Sequence, residues 1–431
     1  MAALRDRYQS DVEVGDLRIT LFPAVHASGE NLLLRQPGRR DLPPLVAVRR
    51  FTLDARFVSF FRNPKRIRSV RLEGLRIIVQ PRSGRSPNHF DPAKLPFVLD
   101  EVVADGATLE SLPKDPDKDP LVFDIRRLTL HTVGIGLPMT FHAELTNPKP
   151  PGLIRSDGSF GPWSAADPAG TPVSGNYTFR DADLGVFPGI RGTLASDGRY
   201  TGQLNRIEVQ GTTDTPDFAL STGGHPMALH TDFQATVDGA NGDTVLHPVR
   251  ARLGASDFEI AGAIDRVRSG QGKTILLNAK AGRARLEDFL ALAVNAPKPP
   301  LKGGISFQTR VEIPPGKAAV VERLRLDGVF SLARARFTSD DVQRKIAGLS
   351  HHAQGDPNNQ DPNIDAAFQG HFRLRNGLLA LPDLQFEIPG AKVDLKGKYA
   401  LRTGDLDFTG TAKLDAPVSR MTTGVKSLLL N

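Results

Sequence analysis

Four consecutive segments near the C-terminus alternate apolar and polar residues with a period of two. Residues 368–374 place Phe368, Gly370, Phe372 and Leu374 on one side, and 384–388 place Leu384, Phe386 and Ile388 there. Residues 393–401 add Val393, Leu395, Gly397, Tyr399 and Leu401, and 406–414 add Leu406, Phe408, Gly410, Ala412 and Leu414. Successive side chains of a strand point to opposite faces, so the pattern predicts a half-buried antiparallel sheet. No other segment is an obvious cover for its apolar face, which is therefore either a core or a surface for something apolar. Asn376-Gly377 reads as a type I′ hairpin and Pro389-Gly390 as a type II turn. On the polar side, Lys392, Lys396 and Lys398 stand to meet Asp383 and Glu387 on one neighbour and Asp405 and Asp407 on the other. Such cross-strand pairs contribute roughly 0.2–1 kcal/mol each, enough to help set register.

The N-terminal part repeats a different phrase. It appears as VEVGDLRITL at 12–21, VHASGENLLL at 25–34, VRLEGLRIIV at 70–79 and VVADGATLES at 102–111. Around Gly15 and Gly74 the apolar parity switches, from Val12 and Val14 to Leu17, Ile19 and Leu21, and from Val70 and Leu72 to Leu75, Ile77 and Val79. A glycine with a parity switch predicts a β-bulge and added twist. Two further strands follow at 120–147, with Phe141, Ala143 and Leu145 alternating. Residues 148–174 are rich in Pro, Gly, Ser and Asp and read as a loop or joint between a segment 1–147 and a segment 175–431. In the latter a glycine, any residue and then an aromatic or aliphatic recurs at 175, 192, 328, 370, 397 and 410. Its irregular spacing argues for a meander rather than a solenoid of fixed period. The expected fold is mainly β: a long, coiled antiparallel meander with a few short amphipathic helices, near 285–294, 339–353 and 417–430. The helix at 339–353 has Ser339 as N-cap and Asp340 and Asp341 in its first turn.

Composition narrows the function. There is no cysteine among 431 residues, which removes disulfides, zinc–thiolate sites and cysteine nucleophiles. Phe outnumbers Tyr and Trp, 23 against 4 and 1, which favours dry apolar surfaces over recognition of bases or sugars. Residues 1–100 hold 18 Lys/Arg against 10 Asp/Glu, and the rest of the chain 37 against 38. A basic end on a neutral body suggests an acidic surface near that end. The bases Arg62, Lys65, Arg66, Arg68, Arg82 and Arg85 are the candidates for contact with anionic head groups, each worth about 1 kcal/mol near such a surface. Nucleic-acid binding is not expected, because the nearby Phe57, Phe60 and Phe61 are spaced as one buried helical turn rather than as a stacking platform.

No catalytic motif is present: no G-x-S-x-G, Walker A, G-x-G-x-x-G or H-E-x-x-H. His351-His352 reads as a helix end rather than a metal site, and DGANGDT at 238–244 as a hairpin turn rather than a calcium loop. The expectation is a protein that is not an enzyme and uses no cofactor.

Several blocks, in one order, resemble AsmA-like proteins. They are VEVGDLRITLFPAVHASGENLLLR at 12–35, GSFGPW at 158–163, GIRGTLASDGRYTGQLNRIEVQGTTDTPDFAL at 189–220, VDGANGDTVLHPVRA at 237–251, GRARLEDFLAL at 282–292, LDGVFSLARARFTSDDVQRKIAGLSHHAQG at 326–355 and FEIPGAKVDLKGKYALRTGDLDFTGTAKLDA at 386–416. The resemblance implies kinship with bridge-like lipid-transfer proteins, whose repeating β-groove is open and hydrophobic and holds acyl chains. It implies a periplasmic protein, anchored in the inner membrane by an N-terminal helix that this sequence lacks, which moves phospholipid toward the outer membrane or supports outer-membrane assembly with envelope protein partners. The groove lining would be Leu17, Ile19, Leu21, Ile77, Val79, Phe141, Leu145, Phe372, Leu374, Phe386, Ile388, Leu395, Tyr399 and Phe408. The residues themselves fit a second arrangement equally well, a structural scaffold in which the same face closes into a core.

Overall fold

The computed structural model describes residues 11–35, 43–61, 65–79, 97–111, 121–134, 136–162, 167–221, 223–239, 242–266, 272–316, 318–401 and 403–415. Arg62, Arg82, Arg85 and the helix expected at 417–430 lie outside the described residues, as does the side chain of Val79. The fold is mainly β. Among the described residues there are 23 strands in one open, mixed sheet that does not close into a barrel, and three short helices. The chain forms two compact units: residues up to 183 with 195–211 and 237–242, and residues 184–194, 212–236 and 243 onward.

The first unit runs through β1 (Asp11–Glu13), β2 (Arg18–Thr20), β3 (Val25–Arg35), β4 (Val46–Ala55), β5 (Lys65–Val79), β6 (Phe97–Ser111), β7 (Leu121–Val133), β8 (Met139–Pro148), β9 (Pro151–Phe160) and β10 (Pro172–Asp183). The pairings are antiparallel, with one exception. β5 and β6 are parallel, Lys65 opposite Phe97 and Ile77 opposite Leu109, which corrects the purely antiparallel expectation. A parallel pair needs a connection of about a dozen residues or more, and 80–96 supplies that length. The alternation within each strand is the same for either direction, so it carried no signal of the switch.

The expected joint at 148–174 is also corrected. It contains all of β9, paired with β8 on one side and with β10 on the other. The small, polar residues of this strand hid it, and they are small because aromatic rings of neighbouring strands lie over them, as described below.

The parity switch at Gly74 is real, and Gly74 has φ +63°. It is not an isolated bulge, which would shift the register. Glu13 opposite Leu33 and Arg18 opposite Ser28 set Gly15 against Asn31 without a shift. The same reading carries the row on through Arg49, Gly74, Gly106 and Arg126. Asn31, Gly74 and Gly106 all have positive φ, the left-handed region that glycine and asparagine tolerate best. Because six neighbouring strands invert at one level, their apolar side chains stay on one face above and below the row. The cluster of Val48, Leu75, Ala104 and Ala107 sits along it.

After β11 (Ile190–Arg191) and β12 (Thr193–Gln203), the second unit's ladder runs through β13 (Arg206–Leu220), β14 (Met227–Val237), β15 (Thr244–Leu253), β16 (Ser256–Arg266) and β17 (Lys273–Arg285). Then follow α1 (Leu286–Ala293), β18 (Leu301–Ile313), α2 (Val320–Arg323), β19 (Arg325–Phe337), α3 (Asp340–Ala353), β20 (Ala366–Arg375), β21 (Leu378–Ile388), β22 (Ala391–Ala400) and β23 (Leu406–Leu414). From β15 onward successive strands pair antiparallel. Asn376 and Gly377, with φ of 52° and 72°, make the type I′ hairpin, and Lys392 reaches Glu387 at 2.8 Å. Asp383 is taken instead by His371, whose ring nitrogen lies 2.6 Å away.

The helices start as the sequence dictates. Ser339 caps α3 through Val342 N–H, and His351 and His352 end it with ring nitrogens on the carbonyls of Asp361 and Gly348. α1 has no side-chain N-cap. Its first turn is held by Asp288, which accepts from Ser256 Oγ at 2.7 Å and Ala255 N–H at 3.1 Å, and by Glu287, which accepts from Gly303 N–H. Burial raises the Glu287 pKa, but hydrogen bonds from its own N–H, Arg285 and Gly303 outweigh it, and the carboxyl titrates below its ordinary value.

Candidate apolar binding face

Side-chain exposure separates this sheet from a two-layer domain. Along β10, β12, β18, β19 and β22 the alternation is mostly between exposed and half-buried, with only one or two buried positions in each strand. Among the described residues, the bulkiest side chains less than 2% exposed are Thr171, Thr215, Ser256 and Ser350. A sandwich of this size fully buries many Leu, Ile and Phe side chains between its layers. Here, among the described residues of the first unit, the clustered apolar side chains all come from strands of the sheet itself.

In the first unit, among the described residues, the apolar side chains cluster with one another along the sheet. Val48, Leu75, Ala104 and Ala107 group with Leu32, Phe51, Leu72, Ile77, Ile125 and Leu128, all from strands. Phe141 and Leu145 lie on this face half-buried. Leu17, Ile19 and Leu21 stand at its β2 edge, 53, 57 and 59% exposed.

Aromatic rings crowd against glycines along it. A Cβ built on Gly29 would come 2.7 Å from Phe51, on Gly158 2.9 Å from Phe141, and on Gly152 2.7 Å from Phe179. Two G-x-Y segments exchange tyrosines: a Cβ on Gly175 would come 2.6 Å from the Tyr200 hydroxyl oxygen and 2.9 Å from its ring, and one on Gly198 2.7 Å from the Tyr177 ring. A ring laid on glycine fills the notch left by the missing side chain and lowers the height of the lining. Tyr200 Oη pairs with Ser156 Oγ at 2.8 Å, and Tyr177 Oη with Ser196 Oγ at 3.1 Å, so neither of these two phenols is bare. Burial pushes both phenol pKa values above their ordinary 10, against the lowering effect of the serine partners. Sequence reasoning placed Gly175 and Tyr177 in a recurring phrase but assigned none of Gly175, Tyr177, Gly198 and Tyr200 to the lining. The signal available was the repeated G-x-Y, at 175–177 and 198–200.

In the second unit the lining divides. At one end α3 lies over the face: Ile346, Leu349 and Ala353 pack with Leu332, Ala366, Phe368, Phe386, Ile388 and Ala391. Phe386 and Phe368 meet with ring centroids 4.8 Å apart and planes tilted by 37°. Beside it, Phe289 of α1 meets Phe258 and Phe307 edge-on, at 5.9 and 5.5 Å. Phe386 and Ile388 are therefore core residues, a correction to their place in the expected open lining, and Leu395 packs at the edge of the same cluster. The helix supplies the cover that strand periodicity alone did not reveal. At the other end Phe372, Tyr399 and Phe408 are half-buried, Leu406 is 71% exposed, and Leu374 is buried against its neighbours. Phe408 lies over Gly397, where a Cβ would come 2.4 Å from the ring and 2.5 Å from the Asp407 carbonyl oxygen. Gly397→Ala is expected to cost about 2 kcal/mol, because backbone as well as ring must move. A fall in the urea midpoint with unchanged m-value reads it out.

The polar faces carry paired charge. Arg66 is held by Asp100 at 2.6 Å and Arg76 by Glu110 at 2.6 Å, so Arg66 is not a bare head-group cation. Lys65 and Arg68 are exposed and form no ion pair with described residues. A concavity of about 840 Å³ on the second unit is lined by His230, Arg250, Arg252, Asp257, Glu259 and Lys280 among others. Its charges are largely paired with one another, Arg252 with Asp257 at 2.7 Å and Lys280 with Glu259 at 2.8 Å. Among the described residues no cluster of three or more His, Asp or Glu is arranged to hold a metal, and no helix is long and apolar enough to cross a membrane. No protein-family model, curated protein or solved structure matches this chain.

Proposed function

We propose that the uncovered apolar face shields phospholipid acyl chains, and that the protein is a non-enzymatic lipid-binding or lipid-transfer protein of the AsmA-like kind, working in the bacterial envelope. The observation that supports this reading is the exposure pattern. Many of the Leu, Ile, Val and Phe side chains on one face of the strands stay half-buried or exposed beside buried ones such as Val48 and Leu75, and no Leu, Ile or Phe among the described residues is less than 2% exposed. Keeping such a face wet is costly, at about 25 cal/mol for each Å² of apolar surface. An acyl chain has the complementary need, since exposing about 14 methylenes to water costs roughly 11 kcal/mol. Each offsets the other's exposure without a specific polar contact. The rings laid on glycines keep the lining low and smooth, which suits a ligand class that varies in length and unsaturation. The resemblance in sequence points to the periplasm and to phospholipid moving between inner and outer membranes.

Native mass spectrometry of protein purified from cells is expected to show phospholipid masses released with the chain, and the emptied protein is expected to take up labelled phospholipid from vesicles. Protein that carries no lipid and takes none up overturns the reading.

A further inference from the structure

One end of the first unit's strands carries a rim of exposed apolar side chains. Thr20 opposite His26, Val25 opposite Ala55, Lys65 opposite Phe97 and Leu99 opposite Val133 bring to one level the end of β2, the start of β3, the end of β4, the starts of β5 and β6, and the end of β7. Just beyond these strand ends, Leu21 is 59%, Phe22 84%, Phe57 48%, Val58 64% and Leu137 39% exposed. Phe57 and Val58 stand on a short 3-10 turn that follows β4, and the others on connections between strands. Turn positions ordinarily favour Gly, Pro, Asn, Asp and Ser. One exposed apolar residue there is unremarkable; five along one rim mark an interaction surface.

The charge around the rim is mainly basic. Arg56, Lys65 and Arg68 are exposed and make no ion pair with described residues. The nearby acids are occupied, Asp54 by His26 at 2.8 Å and Asp100 by Arg66 at 2.6 Å. The apolar side chains stand on three different connections, β2–β3, β4–β5 and β7–β8, whereas a protein partner requires a contiguous, shape-matched patch. A lipid surface accepts separate points, because head groups part around each one and basic side chains beside it meet phosphates.

We propose that this rim docks the first unit on an anionic bilayer, with Leu21, Phe22 and Val58 entering the boundary between head groups and acyl chains, and Arg56, Lys65 and Arg68 against the phosphates. The docking does not depend on what the apolar face carries, and its test is independent of lipid uptake. The full chain is sedimented with vesicles of phosphatidylcholine alone, and with vesicles of phosphatidylcholine and phosphatidylglycerol in equal parts. Binding is expected to the mixed vesicles, and Phe22→Asp and Val58→Asp are each expected to weaken it by about tenfold or more, the loss from withdrawing one apolar side chain. Both side chains are exposed, and the circular dichroism of each variant is expected to match that of the parent. In a Trp163→Phe background, Phe22→Trp is expected to shift its emission to the blue on the mixed vesicles. The proposal is overturned if the parent chain binds neither vesicle, if the aspartate variants bind like the parent, or if the tryptophan emission does not move. It is overturned equally if the aspartates abolish a concentration-dependent dimer and leave vesicle binding intact.

Discussion

Phe386→Asp is expected to unfold the α3-covered end of the second unit, with a loss of about 5 kcal/mol in stability. The ring packs on Phe368 at 4.8 Å and shares a cluster with Leu332, Ala366 and Ile388 beneath Ile346, Leu349 and Ala353 of α3. Removing a buried phenylalanine costs about 3–5 kcal/mol, and the aspartate adds an unpaired charge with no cation in the cluster. The polar contacts that seat α3 depend on the same packing. Ser350 Oγ donates to the Pro389 carbonyl at 2.7 Å, one residue beyond β21, so displacing this strand releases the helix. Urea denaturation followed by circular dichroism is expected to show a lower midpoint for this variant, or a separate early transition. A variant as stable as the parent would mean that α3 does not close this end.

Leu406→Asp together with Phe408→Asp is expected to leave the fold intact and to abolish uptake of labelled phospholipid by the second unit's open end. Leu406 is 71% exposed and Phe408 half-buried, both on the edge strand β23. Two carboxylates there are solvated in the empty protein, and the cost to stability is about 1–2 kcal/mol, from the lost contact of Phe408 with Gly397. An acyl chain laid over them would strip their water, which costs several kcal/mol for an unpaired charge, or about a hundredfold or more in affinity. Equal uptake by parent and double variant would show that lipid does not use this part of the face. The two experiments complement each other: a substitution at one end of the face tests folding, and one at the other end tests binding.

The positions of these two phenylalanines mark the boundary of what the sequence could tell. Both sit in period-two alternation, and both carry Val, Leu or Gly as neighbours on the same face. Strand periodicity reports which face a side chain is on and nothing about what lies above that face. The helix over 340–353 was legible from Ser339, Asp340 and Asp341, with Val342, Ile346 and Leu349 as its apolar stripe. Its landing place on Phe386 and Ile388 was not, because it depends on where the chain returns after 354–365. The loop expected at 148–174 failed for a related reason. Gly158 and Ser156 look like loop residues in isolation, and they are strand residues because β8 and β10 pair with them on either side, with Phe141 against Gly158 and Tyr200 hydrogen-bonded to Ser156.

By itself the sequence determined the β class, the apolar and polar faces, the Asn376-Gly377 hairpin and the parity inversion at Gly74. These follow from local rules: side-chain alternation, tolerance of positive φ, and the pairing of neighbouring strands. Only the tertiary structure decided that β5 and β6 run parallel, that six strands invert at one level, that α3 and α1 cover one end of the second unit's face, and that the first unit's face has no second layer among the described residues. Each of those depends on groups distant in the chain meeting in space. Alternation is identical for a strand that is roofed and one that is bare, and for either direction of its neighbour.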